Sequence, residues 1–76
     1  MRLHLGGHLN WYDPRKRAWL EVPLAAPVLL SALLQQLHVP PGEVAIVVIN
    51  GRLAQLEAVM VEDGDRVELY PAIGGG

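Results

Sequence analysis

Four leucines at helical spacing, Leu30, Leu33, Leu34 and Leu37, stand between two stretches whose apolar residues alternate. Residues three and four apart share one face of a helix, so the stripe predicts one helix lying on a sheet. Pro27 suits the first helical position, where its missing N–H costs nothing. Pro40-Pro41-Gly42 stops the helix, because neither proline can continue it. Ser31, Gln35 and Gln36 are left facing water.

The flanks read as strands. Met1, Leu3 and Leu5 alternate with Arg2 and His4, the period-two pattern of a half-buried strand. Gly6-Gly7 interrupts it as a bulge or bend, and the strand resumes over 8–11. Residues 12–17, with Asp13-Pro14 and the cations Arg15, Lys16 and Arg17, form an exposed turn. Residues 18–24 alternate again, with Leu20, Val22 and Leu24 opposite Trp19 and Glu21, which closes an opening hairpin. The run 44–49 is apolar and rich in β-branched residues, as expected of a strand central in its sheet or covered on both faces. Asn50-Gly51 is the strongest short turn signal in the chain. Residues 52–58 admit a short strand, a helical turn, or both. Arg66 to Tyr70 is the closing strand, with Val67 and Leu69 inward, and Pro71 ends its ladder. The order predicts an α+β domain with one helix crossing a mixed sheet of four to five strands. A β-grasp fits, as do other small α+β arrangements.

Composition narrows the function. A chain of 76 residues makes one domain, which buries only about 60% of the surface its unfolded form exposes. The 51% hydrophobic content offsets that thin margin. Cysteine is absent, which excludes a disulfide, a thiolate nucleophile and a cysteine-rich zinc site, and fits a reducing cytoplasm. The longest apolar stretches fall short of the roughly 20 residues of a membrane helix, and the start lacks a signal-peptide plan. A net charge of −2 with both signs dispersed leaves no basic footprint for nucleic acid. The expectation is a cytoplasmic protein, monomeric when free.

Three segments together carry a resemblance: Val47-Val48-Ile49-Asn50-Gly51-Arg52, then Asp63-Gly64-Asp65-Arg66-Val67-Glu68-Leu69, then Tyr70-Pro71-Ala72-Ile73-Gly74-Gly75-Gly76. They are similar to the MoaD/ThiS family of ubiquitin-like sulfur carriers, which comprises the small subunit of molybdopterin synthase and the thiamine-biosynthesis carrier. The likeness covers the C-terminal half, while the first 40 residues match in element order alone. It implies a β-grasp domain over 1–73 and a flexible glycine tail over 74–76. Gly74 stands where the family more often has alanine or serine, so the functional pair carried over is Gly75-Gly76.

The resemblance also implies chemistry performed on the tail by other proteins. A partner related to ubiquitin-activating enzymes uses ATP to adenylate the Gly76 carboxylate. Persulfide sulfur then replaces AMP, and the resulting thiocarboxylate donates sulfur to a cofactor precursor. The carrier is itself no enzyme and binds no cofactor or metal. Its further partner is a molybdopterin-synthase large subunit or a thiazole synthase. Tyr70-Pro71 favours the molybdopterin branch and the short length favours the thiamine branch; the molybdenum or tungsten cofactor is preferred. The resemblance places a docking surface on the sheet near the root of the tail. The residues expected to meet a partner are Arg52, Leu69, Tyr70, Pro71, Ile73, Gly74 and Gly75.

Elementary chemistry supports such a tail. A terminal carboxyl titrates near pH 3.5, so Gly76 is ionised and able to attack an α-phosphate. Adenylation turns a poor acyl donor into one with a good leaving group. Glycine leaves the acyl carbon unhindered and passes a channel too narrow for side chains. From Pro71 to Gly76 the chain extends about 20 Å. Three terminal glycines also fit an inert end, and two further functions stay open. One is a protein modifier joined to lysine through Gly76; the other is a β-grasp interaction module.

The remaining polar and aromatic residues read as structural. Four strand residues separate His4 from His8 by roughly 13 Å, too far for one metal ion, so both face solvent. Asp63 and Asp65 are turn residues, and the run is too short for a calcium loop. Trp11, Tyr12 and Trp19 pair across the opening hairpin, with a contact surface as the alternative.

Overall fold

The structure, a computed structural model, describes residues 1–72. The expectations placed on Ile73, Gly74, Gly75 and Gly76, and on a boundary at 73/74, lie outside the described residues. The elements are β1 (Arg2–Leu5), β2 (Trp19–Glu21), β3 (Val28–Leu29), α1 (Leu30–Gln36), β4 (Ile46–Ile49), β5 (Arg52–Ala54), β6 (Met60–Val61) and β7 (Arg66–Tyr70). Five strands form one sheet in the order β2-β1-β7-β4-β5, and β3 pairs with β6 in a separate ladder. The β1–β7 pairing is parallel and the others are antiparallel. A mixed sheet crossed by one main helix is the β-grasp arrangement.

The leucine stripe does what its spacing demands. Leu30, Leu33 and Leu34 are buried, and they share the core with Leu3, Leu5, Leu9, Val39, Val47, Val61, Val67 and Leu69. The helix limits differ from expectation at both ends. Val28 and Leu29 are extended and pair with Val61 and Met60, so Pro27 precedes a strand instead of opening the helix. At the other end the helix stops before the prolines. His38 adopts a left-handed φ of 62° and donates its N–H to the Gln35 carbonyl, while the Val39 N–H reaches Leu34. This pair of bonds is a Schellman cap, with buried Val39 as its apolar lock.

The opening strands pair antiparallel as expected, but the segment between them is corrected. After β1 the chain forms a 3-10 helix over Gly7–Tyr12, so residues 8–11 are not a resumed strand. Its Leu9 is fully buried in the core. Trp11 therefore stands 70% exposed on the helix and does not pair with Trp19. The run 44–49 is not covered on both faces, since only Val47 is buried and Ile46 is exposed. Asn50 and Gly51 have φ of 51° and 84°, the type I′ geometry that joins β4 to β5.

The basic loop is organised by one carboxylate. Buried Asp13 accepts from the Arg15 and Arg17 backbone N–H groups at 3.2 and 2.9 Å, and from Arg17 Nε and Nη2 at 3.0 and 2.9 Å. The Arg17 side-chain bonds, then the backbone bonds, hold this carboxyl far below the ordinary range against an opposing effect of burial. A folded-state pKa below the unfolded one means the gain is complete above the unfolded value near 3.8 and is lost as pH falls below it. Thermal melting of the wild type should therefore drop more steeply than that of Asp13→Asn between about pH 4.5 and pH 2. Parallel curves would show that this loop is not an acid-sensitive tie.

Candidate docking face and tail root

With α1 on one face, strand alternation turns a second set of side chains the other way. Register aligns Trp19, His4, Glu68, Val48 and Leu53 in one row across all the strands of the large sheet. Tyr70 and Ile46 stand in the row toward the tail, and Glu21, Arg2 and Arg66 in the row away from it. Every one of these residues is exposed or half-buried, with Trp19 at 38%, Ile46 at 39% and Leu53 at 80%. The result is a strip with apolar side chains at both ends, His4 and Glu68 between them, and further charge along one margin.

Its side chains are held by each other. The His4 ring lies 4.6 Å from Trp19 and 5.7 Å from Tyr70, centroid to centroid. The Arg2 and Arg66 guanidinium groups lie 4.7 and 5.5 Å from the Trp19 ring, within cation–π range. The Tyr70 hydroxyl donates to Glu68 Oε1 at 2.6 Å. That bond raises the Tyr70 pKa above 10.0, with burial and the Glu68 charge adding and Arg66 opposing. His4 is thus half-buried between two aromatic rings, with its Nδ1 buried and unpaired, whereas His8 is exposed, its Nε2 3.8 Å from Glu43 Oε1.

The tail leaves from the edge of this face. The Tyr70 carbonyl accepts from Ala45 N–H and the Leu69 carbonyl from Gly6 N–H, both at 2.8 Å. Pro71 offers no N–H and the ladder ends there, with Ala72 exposed. Tyr70 and Pro71 accordingly sit where the sequence places them. Leu69 lies in the same strand with its side chain fully buried, where it anchors the strand in the core. Arg52 lies elsewhere. It pairs with Ile49, which pairs with Val67, so it stands two strands from β7 and at the end remote from Tyr70. The sequence alone assigns none of His4, Ile46, Val48, Leu53 and Glu68 to a docking face. Their outward alternation was visible in each strand, but the row exists only through the pairing of β1 with β7.

A cleft of about 240 Å³ is lined by Leu3, Leu5, Leu20, Leu37 and Val39, with Asp13, Arg17 and His38 at its wall. That carboxylate and guanidinium are bonded to each other, which leaves His38 as the remaining titratable side chain of the lining. No group of three or more metal-ligating side chains occurs among the described residues. No helix among them is long and apolar enough to cross a membrane.

The sequence pattern of the ThiS family matches residues 14–76, both turns and the glycine tail included. The chain belongs to the ThiS family. Its members are small ubiquitin-like sulfur carriers rather than catalysts. Among solved structures it is similar to the crystal structure of the thiamine biosynthesis protein ThiS from Geobacter metallireducens. The two share 29% identity and a TM-score of 0.59, with 100% of each chain covered. The solution structure of a thiamine biosynthesis protein from the same organism gives 29% identity and a TM-score of 0.54, over 100% of this chain and 88% of that one. No curated protein matches the sequence.

Proposed function

We propose that this ThiS-family chain carries sulfur as a thiocarboxylate on Gly76 and delivers it to thiazole formation in thiamine biosynthesis. The observation that carries the reading is the family match extending through the terminal glycines of a chain whose β7 strand leads to them. The 29% identity to a thiamine biosynthesis protein over the whole of both chains favours the thiamine branch over the molybdopterin branch.

The chain supplies a reactive terminus and a surface. An oxygen of the Gly76 carboxylate attacks the α-phosphorus of ATP, and pyrophosphate leaves. A persulfide's outer sulfur then attacks the acyl carbon and AMP leaves; a thiol attacks the persulfide's inner sulfur, forming a disulfide with it and freeing the thiocarboxylate. Binding ATP and supplying the persulfide fall to an activating enzyme, and taking up the sulfur falls to a thiazole synthase. The Trp19–Leu53 row is the surface that both recognise, since it adjoins the tail root and carries exposed aromatic and aliphatic side chains.

Two measurements test these assignments. Mixed with purified thiazole synthase and, separately, with a purified molybdopterin-synthase large subunit, the chain should bind the first at least about tenfold more tightly. Preference for the second would reassign the pathway. Trp19→Ala should weaken binding to the activating enzyme by about 2 kcal/mol, roughly 30-fold in Kd, as expected of an exposed aromatic anchor. Unchanged affinity of the folded variant would place the docking surface elsewhere.

A further inference from the structure

Gly6 and Gly7 differ from the other described glycines in what lies against them. A Cβ on Gly42, Gly51 or Gly64 would meet nothing within 4 Å. A Cβ on Gly6 would stand 2.5 Å from Tyr70 Cδ1 and 2.8 Å from the Leu69 carbonyl oxygen. One on Gly7 would stand 2.7 Å from Pro71 Cγ and 3.0 Å from its Cδ, and Gly7 also has a φ of +54°. The Tyr70 ring and the Pro71 ring therefore rest directly on two consecutive glycine backbones.

The position of this seat gives it a consequence. The Gly6 N–H bond to Leu69 continues the β1–β7 ladder one step past its last residue pair. Across the strand, Ala45 N–H holds the Tyr70 carbonyl. Beyond those bonds Pro71 cannot donate, so its packing on Gly7 is what orients the chain as it leaves the sheet. Four residues follow Ala72, a reach of roughly 13 Å when extended. A tilt of about 30° at the root would displace the end of such a reach by about 7 Å.

We propose that Gly6-Gly7 is a positioning saddle for the tail, setting the direction in which Tyr70-Pro71 launches it toward the activating enzyme. The assignment rests on the acyl chemistry proposed for Gly76, but its geometry is tested separately. Neither glycine touches the reacting atoms; both act through Tyr70 and Pro71.

The experiment measures ATP–pyrophosphate exchange by the activating enzyme over a range of carrier concentrations. It compares wild type, Gly7→Ala, Pro71→Ala, the double variant and Gly64→Ala. Gly64 has a φ of +93° and open space, so its alanine variant carries the backbone cost without the clash. Gly7→Ala and Pro71→Ala should each lower kcat at least about tenfold while KM moves less than about twofold, because the docking face is intact and the carboxylate is misplaced. The double variant should lose no more than the worse single one, since both disturb one contact. Gly64→Ala should keep both constants.

A purely structural role predicts lower melting temperatures for Gly7→Ala and Gly64→Ala alike, with unchanged constants per folded molecule, and that result would overturn the proposal. If Gly7→Ala does not fold, Pro71→Ala decides, since it adds no heavy atom; full kcat in that variant rejects the saddle. Wild-type protein should also show nuclear Overhauser contacts between the Gly7 α protons and the Pro71 ring. Their absence rejects the saddle even if exchange proceeds. Absence of exchange with wild type, alongside those contacts, instead rejects the sulfur-carrier reading and leaves the seat established.

Discussion

Deletion of Gly75 and Gly76 should abolish pyrophosphate exchange by the activating enzyme while leaving the melting temperature within about 2 °C of wild type. The truncated chain still ends in a carboxylate, now on Gly74, so the loss is not one of chemical identity. It is one of reach: two extended residues span about 7 Å, and misplacement by even about 1 Å can cost 10²-fold in rate. Stability should be indifferent because the core residues among those described all lie before the tail, from Met1 to Leu69. Exchange at wild-type rates by the truncated protein would show that the glycines are not the working part. A large fall in melting temperature would show that they belong to the folded body.

The second large effect falls on Leu69, a residue whose neighbourhood to the tail suggests contact with a partner. Its side chain is fully buried against the core, in register with Leu5 on one side and Val47 on the other. Leu69→Ala should therefore cost about 2–5 kcal/mol of stability, the range for leucine truncation in a packed core. Against a total of about 5–15 kcal/mol, with small domains near the low end, that is a large share. Thermal melting should fall by roughly 10 °C or more, at about 4–8 °C per kcal/mol for a chain of this size. Chemical denaturation at a temperature where the variant is folded checks the figure. A binding defect at unchanged stability would contradict the burial.

What sequence reading recovered depended on whether the cause was local. The leucine stripe, the Asn50-Gly51 turn and the alternation of Arg66–Tyr70 rest on neighbours within a few residues, and each appears as expected. The helix ends rest on more distant events. Val28-Leu29 is extended because Met60-Val61 pairs with it, and His38 accepts a left-handed backbone because Val39 has a core to enter. Gly6-Gly7 reads as a bend in isolation, whereas its cause is the approach of Tyr70 and Pro71 from the far end of the chain.

The candidate site divides the same way. The terminal glycines, Tyr70 and Pro71 are contiguous and could be read directly. The docking row is assembled from five separate strands, so no segment contains its signature. Trp19 shows this most clearly. As a hairpin aromatic it would be structural, but the observed register sets it beside His4 and under Arg2 and Arg66, facing outward. Arg52 shows the converse, since closeness in a motif did not bring it near the tail root.

The central claim is that Gly76 becomes a thiocarboxylate, and intact mass spectrometry tests it most directly. After incubation with its activating enzyme, ATP, a persulfide donor and a thiol, the chain should gain about 16 Da, one oxygen replaced by sulfur, localised to the terminal residue by fragmentation. A folded, unmodified chain under the same conditions, with the enzyme shown to be active on another carrier, would contradict the account.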